Sequence, residues 1–274
     1  MSELEIGGTM RRPATSLLTM QLETVGEIVR VLRSRLGLEQ VELARMCGWR
    51  DASAVSRIET DRIHPTRRTL LKLAENLAKP DITGTPSEVR AWLFLAAGIL
   101  PTAREVDELG DRLPDIESLP HPASIMDFGW YVWRTNEWLR KGAGLPEKLV
   151  GRNYVEVWFE ENSSVRRHFG ELWFDLASVL ISQFREDTAR RSEQRWFGKL
   201  LASLRTLPDF EELWSNAATS DVDAFGWSHT PLGGGTIGAV RSPLTADPRL
   251  IVGHIVPEDP DGRERMLKLG GLHV

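Results

Sequence analysis

The sequence predicts a two-domain α+β chain: an all-α bundle on the N-terminal side, then a mixed domain of strands and helices. Three observations carry this. Apolar residues recur at intervals of three and four through residues 23–80, the period of helices packed on one face. Pro101, Pro114, Pro120 and Pro122 then interrupt the chain. From His121 onward, short strand-like runs flank a helical middle. The 274 residues suit about two domains. With 41% hydrophobic and 27% charged residues, the composition excludes a wholly disordered or collagenous chain.

Residues 1–22 show no period and read as a flexible N-terminal arm. A first helix follows from Val25, Ile28, Val29, Leu32 and Leu36, and Gly37 stops it. Leu38–Cys47 forms a second helix with Val41, Leu43, Ala44 and Cys47 turned inward, ended by Gly48. Asp51 or Ser53 caps a third helix, whose apolar face is Val55 and Ile58. Asp61 stands at the next turn, where aspartate tolerates a left-handed backbone better than most residues. Leu70, Leu73, Ala74 and Leu77 mark a fourth helix beyond Pro65. Residues 23–80 are thus one compact helical unit. Residues 81–117 read as a helical linker, with a helix over Ser87–Gly98 capped by Ser87 and a short one over Thr102–Leu109.

Residues 118–274 make the second domain. Ala123–Asp127 and Trp130–Thr135 are strands around a tight Phe128-Gly129 hairpin, and Asn136 caps a helix reaching Lys141. Val165, Phe169, Leu172, Leu176, Val179 and Phe184 predict one long helix over Ser164–Arg185. Its second stripe (Trp173, Ala177, Leu180, Ile181) requires cover on two sides. Helices at Glu193–Leu207 and Pro208–Asn216 precede three closing strands: Asp223–His229, Thr236–Arg241 and Leu250–Val256.

Several function classes have little support. No apolar run approaches the ~18 residues of a spanning helix, and the first twelve residues lack the apolar stretch of a secretory signal. The expectation is a cytoplasmic protein without a membrane partner. Cys47 is the single cysteine, and the six histidines lack metal-ligand spacing, so no metal is expected. The glycine-rich run Gly233–Gly238 leads into a strand rather than a helix and reads as a hairpin loop, not a phosphate loop. No Gly-x-Ser-x-Gly elbow is present, and Glu160-Glu161 reads as a charged pair flanking a helix. No residue presents itself as catalytic, so an enzyme is not expected.

The chain carries net charge −5, but residues 1–80 carry a balance of +3 and the remainder −8. A basic head on an acidic body points the head alone toward a polyanion. Its second and third helices form a helix-turn-helix: Ala44 and Leu43 suit the crossing, Gly48 the turn, and Val55 and Ile58 the anchoring of the third helix. Ala52, Ser53, Ser56, Arg57 and Thr60 are then left to face a major groove, where Arg57 can pair with a guanine O6 and N7. Gln40 and Arg33 are candidates for phosphate contacts, with Arg62, His64 and Arg67 as a second backbone clamp.

The runs Leu38-Glu39-Gln40-Val41-Glu42-Leu43-Ala44 and Val55-Ser56-Arg57-Ile58-Glu59, with Pro65 and Thr69-Leu70-Leu71-Lys72-Leu73-Ala74, resemble the Cro/C1-type (XRE) helix-turn-helix family. The turn through Gly48-Trp49-Arg50-Asp51 is one residue longer than usual there, and Asp61 stands where glycine is common. In the body, Pro122–Asp127, Trp133-Arg134-Thr135-Asn136, Leu207–Trp214 and Arg249-Leu250-Ile251-Val252 before Pro257-Glu258 resemble the ligand-binding domain of MmyB-like (MltR-type) regulators. That resemblance implies a PAS-like fold, five antiparallel strands with helices over one face, and a small apolar effector resembling a fatty acid.

The body's aromatics suit such an effector. Trp133, Trp158, Trp173, Phe174 and Phe184 are candidate pocket walls, together with Trp196, Phe197 and Trp214. Arg195 and His254 are candidates for a carboxylate, as are Arg166, Arg167 and His168. The same aromatics equally suit solid core or a dimer interface, and His254 a core histidine. One weakly basic head binds DNA poorly, so a homodimer on a pseudo-palindromic operator is expected. The implied function is a transcriptional regulator whose operator binding responds to the effector. The alternative is a solid, ligand-free body acting through protein–protein contacts.

Overall fold

The computed structural model describes residues 24–217, 227–232 and 234–270, with only the backbone of 227–229. The expected arm at 1–22 and the start of the strand expected at Asp223 lie outside them. The chain divides into two compact units between Ala97 and Gly98.

The first unit is all helical: α1 (Val25–Arg35), α2 (Gln40–Met46), α3 (Ser53–Glu59), α4 (Arg67–Leu77) and α5 (Pro86–Ala96). Ile28, Val29, Leu32, Leu43, Val55, Ile58, Leu70, Leu73 and Leu77 are buried together, the stripe the sequence pattern assigns to the core. Val41 departs from that pattern and is 49% exposed on the outer side of α2. Helix α5 packs on α4 and α1 and therefore belongs to this unit rather than to a linker. Its cap is Thr85, not Ser87: the Thr85 hydroxyl accepts from the Glu88 amide, and Pro86 occupies the first turn, where its missing N–H costs nothing.

The second unit runs α6 (Ala103–Asp107), β1 (Ala123–Asp127), β2 (Val132–Thr135), α7 (Glu137–Gly142), α8 (Tyr154–Phe159), α9 (Ser164–Phe169) and α10 (Trp173–Thr188). It continues α11 (Arg195–Leu204), α12 (Phe210–Asn216), β3 (Trp227–Leu232), β4 (Gly235–Pro243), β5 (Leu250–Pro257) and α13 (Pro260–Leu269). The strands form one antiparallel sheet in the order β2-β1-β5-β4-β3. An all-helical unit followed by a five-stranded antiparallel sheet with flanking helices is the α+β, PAS-like architecture that the sequence predicts.

The single long helix expected over 164–185 is broken. Gly170 takes φ +54 and ψ −123, a conformation open essentially to glycine, which ends α9, and the helix restarts at Trp173. Two helices lie beyond the sequence reading: α8, capped by Asn153, and α13, capped by Asp259. Among the described residues, no helix is long and apolar enough to cross a membrane.

Two buried side chains fix the first hairpin and its exit. Asp127 Oδ1 accepts from the Gly129 and Tyr131 amides at 2.8 and 3.1 Å, while Oδ2 accepts from Trp133 Nε1 at 3.0 Å. Burial pushes the Asp127 carboxyl up to about 6 against these donors. Asn136 is fully buried and fully bonded. Its oxygen accepts from Ala123 and Leu139, and its amide donates to Ile116 and His121.

Candidate DNA-reading face and effector cavity

In the first unit, α2 and α3 pack against each other and α3 against α1. Ser53, Arg57 and Thr60 are exposed on α3, whereas Ala52 and Ser56 are half-buried. Arg57 Nε donates to the Ser53 carbonyl at 3.3 Å, and its terminal nitrogens make no hydrogen bond among the described residues. The hydroxyl of Thr60 turns back to the Ser56 carbonyl at 2.8 Å. The cap position of α3 is held by Ala52 rather than by Asp51 or Ser53, and the Asp51 carboxylate accepts from the Ser53 amide at 2.8 Å just ahead of the helix. Arg62, His64 and Arg67 are exposed beyond α3, and the Arg67 guanidinium lies 4.6 Å from the centre of the Phe94 ring.

Arg33 and Gln40, the residues expected on phosphates, both bond to Glu59. Glu59 is only 4% exposed. Arg33 holds it through Nε at 2.6 Å and Nη2 at 3.1 Å, and Gln40 Nε2 adds a third bond at 2.8 Å. The remaining Arg33 donor, Nη1, reaches the Leu38 carbonyl at 2.6 Å. The hydrogen bond to Glu59 raises the guanidinium pKa further. A buried carboxylate needs such partners, so Arg33 and Gln40 tie α1 and α2 to α3.

Asp61 explains its own departure from the usual glycine. It adopts φ +51, and its carboxylate accepts from the Gly26 amide at 3.1 Å and the Thr24 hydroxyl at 2.8 Å. It thereby caps the N-terminus of α1, where a negative charge is favoured.

In the second unit, two adjoining cavities lie between the sheet and the helices. They enclose about 780 and 580 Å3 of space, partly open to solvent. They share Leu139, Tyr154, Trp158, Leu176, Ile237 and Ile255 as walls. The larger adds polar side chains: Ser124, Gln183, Thr230, Arg241 and His254. The smaller is closed by apolar groups of α13, Met266 and Leu269, and by Phe169.

The expected pocket walls are mostly elsewhere. Of that set, Trp158 and His254 line these two cavities and the others do not. Trp173, Phe184 and Phe197 are buried in the main core, with Trp214 and Trp196 packed against it; these are solid packing partners. Trp196 also donates to the Gly98 carbonyl at 2.9 Å. Trp133 bonds Asp127 and packs with Ile125 and Leu250 on the opposite sheet face. Phe174 is 44% exposed. Arg195 lines neither cavity. Arg166 pairs with Asp209 at 2.5 Å and lies over the Trp173 ring, His168 Nε2 lies 3.0 Å from the Gly142 carbonyl, and Arg167 bonds the Asn162 carbonyl. An aromatic stripe at helical spacing serves core and cavity equally well, so sequence alone does not separate them. The walls that were missed (Tyr154, Leu139, Ile237, Ile255) lie on elements whose facing is set only when the sheet closes.

Arg241 forms an ion pair with Asp187, which also accepts from Trp130 Nε1 at 2.9 Å. His254 Nδ1 meets His121 Nε2 at 3.2 Å, and burial with the neighbouring ring pushes its pKa down. The cavity is therefore apolar in bulk, with a few hydrogen-bonding groups in its wall. That is the composition of a small-molecule site.

The family model for the MmyB-like transcription regulator ligand binding domain matches residues 116–269, more than half of the chain. The chain belongs to this family. A helix-turn-helix domain model matches residues 24–81 of the same MmyB-like regulator. No curated protein matches the chain. The MmyB-like protein is thus a helix-turn-helix transcription regulator with a C-terminal ligand-binding domain, and both of its families are regulatory rather than catalytic.

Proposed function

We propose that this MmyB-like regulator binds a pseudo-palindromic operator as a homodimer and that a small, apolar, acyl-chain effector in the cavity of its second unit changes that binding. The observation that carries the reading is the pair of adjoining cavities between sheet and helices, inside the segment matched by the ligand-binding family. Arg57 reads a base edge, with Ser53, Ser56, Ala52 and Thr60 along the groove and Arg62 and Arg67 on phosphates. A cavity of this kind controls the head by population shift: the effector stabilises the body conformation with the filled cavity and, through it, one disposition of two heads. The protein would act where its operator lies, in the cytoplasm.

The test is footprinting on genomic fragments, with and without organic extract of the purified protein. Arg57→Ala should weaken specific binding by ~1–3 kcal/mol and relax preference at one base position. Unchanged affinity and preference in that variant would remove Arg57 from base reading. Native mass spectrometry should detect acyl compounds leaving the body. A body that neither releases nor takes up any would refute effector control.

A further inference from the structure

The two cavities differ in wall chemistry. Ser124, Gln183, Thr230 and Arg241 line the larger one and not the smaller. The smaller adds Trp138, Phe169, Leu232, Met266 and Leu269 to the walls that both share. A molecule with a polar end and an alkyl end that spans the two is oriented by this difference. Its polar end stays with the hydrogen-bonding groups of the larger cavity, and its alkyl end occupies the smaller.

Helix α13 lines the smaller cavity and not the larger, and it is held unevenly. Its first turn is fixed to the start of β4. Asp259 accepts from the Gly262 amide at 2.6 Å through one carboxylate oxygen and from the Thr236 amide at 2.8 Å through the other. The backbones of Gly235 and Gly262 touch: a Cβ on Gly235 would fall on the Gly262 amide, and one on Gly262 on the Thr236 carbonyl. Every residue of α13 is described. Gly262 is the buried one, and the others are half-buried or exposed. The later turns present Met266 and Leu269, which share one face of the helix and pack against the main core as cavity wall. A helix pinned at one end and lightly buried at the other opens at small cost, and methionine adapts readily to an irregular gap. The segment matched by the ligand-binding family ends at Leu269, the last residue of this helix.

We infer that α13 is the end wall of the effector site, with Met266 and Leu269 as specificity-determining residues whose reach sets the length of alkyl chain that the protein accepts. This rests on the reading that the cavities hold an apolar effector. While room lasts, each added methylene tightens binding about fourfold, the value of one buried CH2. A chain that reaches Met266 and Leu269 packs on them and ties down the loose end of α13. A longer one has to push that end away from the core and gains nothing more.

The experiment is calorimetric titration of the delipidated full chain with two series of straight-chain probes, carboxylates and primary alcohols, from octyl to hexadecyl. Affinity should climb with length and then level or fall at one chain length. Met266→Ala removes the side chain beyond Cβ. It should move that limit outward by about two or three methylenes and leave the octyl probes unaffected. Leu269→Trp should move it inward. Amide exchange of residues 263–269 in the unaltered protein should slow with the probe at the limit and stay unchanged with the octyl probes. A limit that both variants leave in place would overturn the end wall and leave the apolar-effector reading standing, and so would exchange in α13 that is equal with short and long probes. Binding of no member of either series would overturn both readings. The exchange measurement holds whether or not the variants fold.

Discussion

Replacing Arg33 by methionine distinguishes an internal strut from a phosphate contact. The Glu59 carboxylate, 4% exposed, receives two bonds from Arg33 and one from Gln40. Without the guanidinium, the charge stays buried on a single neutral donor. Breaking a buried pair from one side costs about 3–5 kcal/mol. Gln40 remains, and Arg33 keeps 14% of its side chain in solvent, so the low end, about 3 kcal/mol, is expected in equilibrium urea unfolding of the first unit. The double variant Arg33→Met with Glu59→Leu should recover most of that loss, because apolar residues of similar volume replace a buried pair at little cost. The salt dependence of operator binding, measured on folded protein, should keep its slope in Arg33→Met. A phosphate contact would lower the slope by about 0.9. A loss under about 1 kcal/mol, or a slope reduced by that amount, would refute the strut.

Two further outcomes follow from buried or crowded groups. Asp127 rises from 3.8 to about 6 on burial, so the folded chain holds that proton more tightly than the unfolded one. Its contribution is most favourable below pH 4 and is lost as pH climbs through 6, a difference of about 3 kcal/mol. Subtracting the pH profile of Asp127→Asn from that of the parent, in urea unfolding between pH 4 and 8, should reveal this falling slope, and a rising difference would contradict it. Gly26→Ala should destabilise the first unit by more than about 2 kcal/mol in the same assay, because its Cβ would stand 2.6 Å from the Ile58 carbonyl and 2.9 Å from the Asp61 carboxylate. A neutral substitution there would show that α1 shifts away from α3 at no cost.

The first unit was legible because its helices are short, capped and regularly striped. Val25 to Leu36 announces one buried face, and Gly37 and Gly48 take the positive φ that their turns require. Arg33 was not legible in the same way. An arginine on a basic head suits phosphate and a buried glutamate equally, and only packing shows that Glu59 points inward. In the second unit the strands were found by alternation, but the break at Gly170 was hidden beneath an unbroken apolar stripe. Helix α13 begins Pro260-Asp261-Gly262 and carries little apolar periodicity, so its role as a cavity wall depends on contacts with β4 and β5. Tyr154 and Trp158 come from a short helix capped by Asn153, too brief for a periodic signal.

The position of β5 at the centre of the sheet, between β1 and β4, has a consequence for synthesis. The β1–β2 hairpin and the β3–β4 hairpin have no common edge until residues 250–257 are inserted between them. A chain emerging from the ribosome can complete its helical head early, since that unit closes on itself before Gly98. The body must wait for the last of its five described strands, with the apolar lining of its future cavity uncovered meanwhile. Contacts made across such sequence separations form slowly and expose surfaces prone to aggregation. A truncation before Leu250 would therefore release two unjoined ribbons rather than a smaller version of the same domain.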